Sequence, residues 1–191
     1  MPLTDRIKIK IMAKQSGFTL IEIIVGIVVL SITYAVLTSL IYPLASQSAA
    51  QVHQIRAAEL GQSMINEILG KAFDENSDMS GGFVRCGENS ASSCTTSTNL
   101  GADGSEQRED YNDVDDYNSI DFGEEIVNSQ GVSLSTVYTG FTMNVTVIND
   151  SNYSGEYQVG IDDDKTAKLI TITVRSPQSD DYVFSVYKAN F

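Results

Sequence analysis

The chain changes its hydrophobic rhythm twice. From Phe18 to Leu44 it reads FTLIEIIVGIVVLSITYAVLTSLIYPL, an apolar run interrupted by one acid, Glu22. This is longer than the ~20 residues that a helix needs to cross a bilayer. Between residues 45 and 73 the apolar positions thin out to Val52, Ile55, Leu60, Met64, Ile65, Ile68, Leu69 and Phe73, with Gln51, Gln54, Arg56, Glu59, Gln62, Asn66 and Glu67 between them. Spacings of three to five predict an amphipathic helix lying on an apolar partner. Gly61 and Gly70 mark weak points or close approaches within it.

The last third alternates with a period of two. Phe141, Met143, Val145 and Val147 predict one strand face over 141–148, Ile170, Ile172 and Val174 another over 168–175, and Tyr182, Phe184 and Val186 a third over 182–188. Ser176 to Asp181 supplies the turn between the last two. The pattern as a whole predicts an α+β fold: a long N-terminal helix, membrane-spanning in its first half and amphipathic in its second, packed on a C-terminal antiparallel sheet. The divisions are a basic leader at 1–17, a membrane-spanning helix at 18–44, a stem helix at 45–75 and a globular head at 76–191. An insertion at 81–121 carries few apolar residues up to Gln107 and is expected to be loop.

At 191 residues there is room for one modest domain beyond the N-terminal segment. Four of the twelve bases, Arg6, Lys8, Lys10 and Lys14, precede Phe18, together with a single acid, Asp5. The remainder carries 8 bases against 24 acids. So acidic a surface repels phosphate backbones, so no nucleic acid is expected on the head; a divalent cation or a basic partner suits it better. One histidine, no CxxC and no Gly-rich phosphate loop leave nothing on which to build an enzyme. His53, alone among polar residues, reads as solvated.

In an ordinary secretory signal the small residue follows the apolar core, whereas here Gly17 precedes it. Cleavage at that point removes the basic leader and keeps the anchor, and the bases orient the N-terminus toward the cytoplasm. Glu22 costs about 2.5 to 3.5 kcal/mol if placed mid-membrane, by analogy with Asp, but fifteen Leu, Ile, Val and Phe residues between Phe18 and Ile41 offer roughly 5 to 9 kcal/mol. Insertion wins, and an intramembrane acid then calls for a named partner.

The run GFTLIEIIVGIVVLSIT, behind its basic leader, resembles the class III signal of type IV pilins and type II secretion pseudopilins. The resemblance covers about residues 13 to 45. It implies that a prepilin peptidase cuts between Gly17 and Phe18, that Phe18 becomes N-methylated, and that Glu22 meets the amine of a neighbouring Phe18 in the filament. Ser39 stands where major pilins carry a helix-breaking proline; the sole candidate here is Pro43.

The segments RAAELGQSMINEILGKAFDE, RCGENSASSC and DYNDVDDYNSIDF are similar to minor pilins of the mannose-sensitive haemagglutinin (MSHA) system. That likeness implies a low-abundance subunit that initiates or caps an MSHA-type pilus. Its partners would be other pilins, the prepilin peptidase, the assembly platform and the inner membrane, with the head periplasmic before it joins a surface filament. A type II secretion pseudopilin is the near alternative. A tip adhesin acting through the 81–121 insertion is the alternative of another class.

Cys86 and Cys94, eight positions apart downstream of an export signal, read most simply as a disulfide, with free or redox-active thiols as the other reading. Closing that loop would contribute roughly 2.5 kcal/mol by chain entropy. The run EDYNDVDDYN offers calcium ligands in Asp113, Asp115 and Asp116, with Asp110, Asn112 or Asn118 in support. It lacks the glycine and terminal glutamate of an EF-hand, and a solvated acidic loop is the plainer alternative. Tyr111 and Tyr117 read as packing residues or as adhesive contacts. Asp162, Asp163 and Asp164 read as a turn.

Overall fold

The computed structural model describes residues 17–78, 84–88, 91–162 and 166–190. The leader bases Arg6, Lys8, Lys10 and Lys14, with Asp5, fall outside the described residues, as do the start of the insertion at Gly81 and the acids Asp163 and Asp164. The fold is α+β. One helix, α1 (Leu20–Leu69), is followed by a 3-10 turn (Asp115–Tyr117) and four strands: β1 (Ile120–Asp121), β2 (Thr142–Asn149), β3 (Ala167–Arg175) and β4 (Asp181–Ala189). The chain divides into two compact units, Met1–Ser48 and Ala49–Phe191.

In the first unit, α1 from Leu20 to Ile41 is long and apolar enough to cross a membrane. Its serine and threonine hydroxyls are satisfied within the helix. Ser31 Oγ donates to the Ile27 carbonyl at 2.8 Å, Thr33 Oγ1 to Val29 at 2.8 Å, and Ser39 Oγ to Val36 at 2.8 Å. These back-bonds spare the hydroxyls the cost of unpaired burial in hydrocarbon. The helix backbone continues through position 43, so the one candidate proline does not end it.

In the second unit the helix lies on the sheet. The strands are antiparallel in the order β1-β2-β3-β4. The register sets Met143 opposite Val174 and Val145 opposite Ile172, and on the other side Ile172 opposite Phe184. The buried face is therefore one continuous apolar surface. Against it α1 turns Ala57, Leu60, Met64 and Ile68, all buried with Phe141, Met143, Val145, Val147, Ile170, Ile172 and Val174.

Several expectations shift. Val52 and Ile55 are exposed, at 48% and 60%, because the stripe continues back through His53 instead. His53 is half-buried, its ring 5.6 Å from that of Phe141, and not the solvated side chain expected. The stem ends at Leu69 and not at 75, where Gly70 N–H closes the last turn on the Asn66 and Glu67 carbonyls at 3.2 Å each. The strands extend the expected spans by a residue at most ends, and β1 is an addition that pairs with the outer edge of β2. The turn before β4 forms as expected, with Ser176 Oγ accepting from the Gln178 and Asp180 amides at 3.3 and 3.2 Å.

Gly61 is a close approach. A Cβ built there would lie 2.5 Å from the Phe184 ring, so only glycine lets β4 settle on the helix with that ring in place. Gly61→Val is expected to lower head stability by about 1 to 3 kcal/mol through overpacking. Thermal melting of the purified chain checks this. An unchanged midpoint would mean that Phe184 swings away freely.

Candidate functional site

At the N-terminus, Gly17 and Phe18 precede the helix outside any regular element, and Thr19 stands immediately before its first residue. Glu22 N–H donates to Thr19 Oγ1 at 3.3 Å, while Thr19 N–H donates to Glu22 Oε2 at 3.5 Å. This is a reciprocal capping box, Thr-x-x-Glu, with the acid also at the positive end of the helix. Glu22 thus has a partner within its own chain. Sequence reading priced Glu22 as a bare carboxylate and missed the cap, although the spacing that reveals it was present in TLIE.

The second cluster lies where the inner face of the sheet turns from apolar to polar. Asn149, Lys168 and Lys188 stand side by side there, as register partners on β2, β3 and β4. Lys168 is fully buried. Its ammonium donates to the Phe73 carbonyl at 2.7 Å, pairs with Asp74 Oδ2 at 3.2 Å and with Asp115 Oδ1, and sits 4.5 Å from the centre of the Phe73 ring. Lys188 Nζ donates to the Leu69 and Lys71 carbonyls at 2.8 and 3.0 Å, closing a helix end that has no base of its own. Burial lowers the pKa of Lys188. Asn149 Nδ2 reaches the Thr95 carbonyl at 3.4 Å and Ser97 Oγ at 3.1 Å.

The acids proposed as calcium ligands are drawn into this cluster. Asp113, Asp115 and Asp116 are all buried, so the solvated acidic loop expected as the plainer reading is corrected. Asp116 Oδ2 accepts from the Asn112 and Asp113 amides at 2.8 and 3.1 Å, and Asp113 Oδ1 accepts from the Asp116 amide at 3.2 Å. The position beside Asp115 that a cation would take is filled by the Lys168 ammonium. Burial first, then the neighbouring Asp115 and Asp116, pushes Asp113 up to about 8.

Tyr117 is fully buried and donates to Glu67 Oε1 at 2.8 Å, which settles it as a packing residue. Arg108 pairs with the same Glu67 and lies over the Tyr117 ring at 4.9 Å, pinning the acidic segment to α1. Tyr111 meets the Tyr117 ring edge-on at 5.3 Å. Asp162, expected in a turn, is buried, and its Oδ1 accepts the Ser151 amide at 2.8 Å, bracing the β2–β3 loop.

Cys86 and Cys94 form a disulfide, with Cα atoms 4.8 Å apart, packed with Phe73 in a small second core. Asp74, Cys86 and Cys94 have ligand atoms within 4.8 Å of one another. The sulfurs are bonded to each other, and Asp74 already serves Lys168 and the Thr95 amide, so this trio is structural.

Two expectations follow. Lys168→Met leaves Asp74 and Asp115 buried without a counter-charge and should cost about 3 to 5 kcal/mol, read by chemical denaturation. The raised Asp113 gives a pH dependence of definite sign. Its folded pKa lies above its unfolded value, so its contribution is fully present below about 3.8 and is lost as pH rises through about 8. Asp113→Asn should flatten the decline in melting temperature across that window. A variant with the wild-type slope would remove Asp113 as its source.

Comparison with known proteins assigns the N-terminal segment. Residues 12–37 match the family model described as the prokaryotic N-terminal methylation motif. No curated protein matches the chain, and no solved structure does. The motif, the span from Leu20 to Ile41 and the disulfide together support a membrane-anchored protein of type IV pilin or pseudopilin kind.

Proposed function

We propose that the chain is a minor pilin that is cut between Gly17 and Phe18, N-methylated on Phe18, and used to initiate or cap an MSHA-type type IV pilus. The observation that carries the reading is the seat of Glu22. Glu22 is the one charged residue in the apolar run, and it stands four residues from the residue that would become the new terminus, about 6 Å along a helix. In an axially staggered neighbour that distance brings carboxylate and amine together, and in a low-dielectric bundle the pair fixes register. The finer MSHA assignment rests on the likeness of the FDE, RC…C and DVDDY segments. The head suits a specialised subunit: its long loops are tied down by a disulfide and a buried ion cluster.

Two experiments test this. Glu22→Ala expressed in cells is expected to be cleaved normally, seen as loss of the leader mass, but to be absent from sheared filaments. Incorporation at wild-type level would overturn the role given to Glu22. Deleting the gene is expected to reduce pilus number at least tenfold while type II secretion continues; the opposite result would favour the pseudopilin reading.

A further inference from the structure

The disulfide is joined to the buried lysine by a short run of polar contacts. On its C-terminal side, Thr95 N–H donates to Asp74 Oδ2 at 2.8 Å, the same oxygen that faces Lys168 Nζ at 3.2 Å. On its N-terminal side, Cys86 N–H donates to Ser77 Oγ at 3.2 Å, and the Cys86 carbonyl accepts Asn190 Nδ2 at 3.1 Å. The same amide lies 3.7 Å from Cys86 Sγ and 4.0 Å from Cys94 Sγ. Asn190 directly follows β4, and its own N–H donates to the Thr166 carbonyl at 2.9 Å, beside the start of β3. The sulfurs pack on Phe73, whose carbonyl and ring both contact the Lys168 ammonium.

No described residue between Val84 and Thr98 belongs to a helix or strand, so ladder hydrogen bonds do not hold Thr95 in place. Beyond its amide hydrogen bond to Asp74, Thr95 is held by Asn149 Nδ2 on its carbonyl at 3.4 Å and by the covalent bond next to it. Asp74, fully buried, depends in turn on the donors that surround it: Thr95 N–H, Asn76 N–H at 3.1 Å and Lys168. A buried carboxylate deprived of a donor holds its counter-ion in a poorer environment, and networks of this kind respond as units.

We propose that the Cys86–Cys94 disulfide is a redox-sensitive latch on the Lys168 ion cluster: oxidation sets Thr95 N–H on Asp74 and the Cys86 carbonyl on Asn190, and reduction loosens both the cluster and the end of β4. The forward step joins the two sulfurs while a disulfide oxidant accepts two electrons and two protons and leaves as a dithiol. The head is then completed only where such an oxidant is present, after export, and a chain held under reducing conditions keeps an unfinished ion cluster. The proposal does not depend on the assembly system that the protein serves.

Hydrogen–deuterium exchange on the full chain in detergent micelles tests it. Dithiothreitol supplies the two electrons and two protons that return the bond to two thiols and closes to its own cyclic disulfide. Exchange should then accelerate at least tenfold at residues 72–77, 113–117 and 188–190, outside the disulfide loop. Acceleration confined to 84–95 would overturn the proposal. Because reduction could open the whole head, Thr95→Pro provides a second reading, since it deletes the amide donor and leaves both cysteines. With its disulfide verified by intact mass, this variant should exchange faster at 72–77 and 113–117 while 142–147 stays protected. Wild-type exchange in it, or loss of protection throughout the head, would overturn the link through Thr95.

Discussion

A charged lysine at zero exposure constrains everything around it. Taking an ammonium out of water costs several kcal/mol unless carboxylates and carbonyls replace the lost hydration. Lys168 obtains them from two stretches distant in sequence, Phe73–Asp74 after the stem helix and Asp115 in the 3-10 turn. Each must be brought to the same point at the start of β3. That requirement fixes the path of the chain after α1 and draws the acidic segment inward. There Ala72 bridges to Asp113, and Tyr117 reaches Glu67 on the helix. Arg108 then closes the arrangement by pairing with Glu67 above the Tyr117 ring. A segment poor in secondary structure is thereby tied to both the helix and the sheet.

Much of the fold was legible in the sequence. Alternation of β-branched and polar residues placed β2, β3 and β4 to within a residue or so, because a half-buried sheet writes its period directly into hydrophobicity. The helix face was read less well. Apolar scoring favoured Val52 and Ile55, while the true stripe runs His53, Ala57, Leu60, Met64 and Ile68 and includes the bare approach at Gly61. Small residues at a tight interface carry little hydrophobic signal, though their spacing of three and four marks the same face. The two-residue β1 has no periodicity to detect and exists because the edge of β2 offers unpaired backbone groups.

The polar row was half-written in the same alternation. Lys168 shares parity with Ile170, Ile172 and Val174, Lys188 with Tyr182, Phe184 and Val186, and Asn149 with Met143, Val145 and Val147. Three polar side chains on a buried face demand buried partners, and Asp74, Asp115 and the open carbonyls of α1 were available. The pairing itself was not legible, since nothing local links Lys168 to Asp115, 53 positions away. For the same reason the acids of EDYNDVDDYN looked like a cation site. One of them, Asp115, does meet a cation, the Lys168 ammonium.

The capping box gives Glu22 a sequence of partners in the proposed assembly. Within one chain the carboxylate is held at the helix start by a long bond from the Thr19 amide, 3.5 Å, and by the helix dipole. That weak local hold lowers the cost of carrying an acid into the membrane without committing the side chain. An ammonium is the stronger partner, because it sets a full opposite charge against the carboxylate where the Thr19 amide offers a dipole at the end of a long bond. A newly cut terminus on a neighbouring chain can therefore displace the Thr19 amide. Register between subunits would be set by exchanging a weak partner for a strong one, and the exchange is possible only after the leader is gone, since an uncut chain carries a peptide bond where the amine should be.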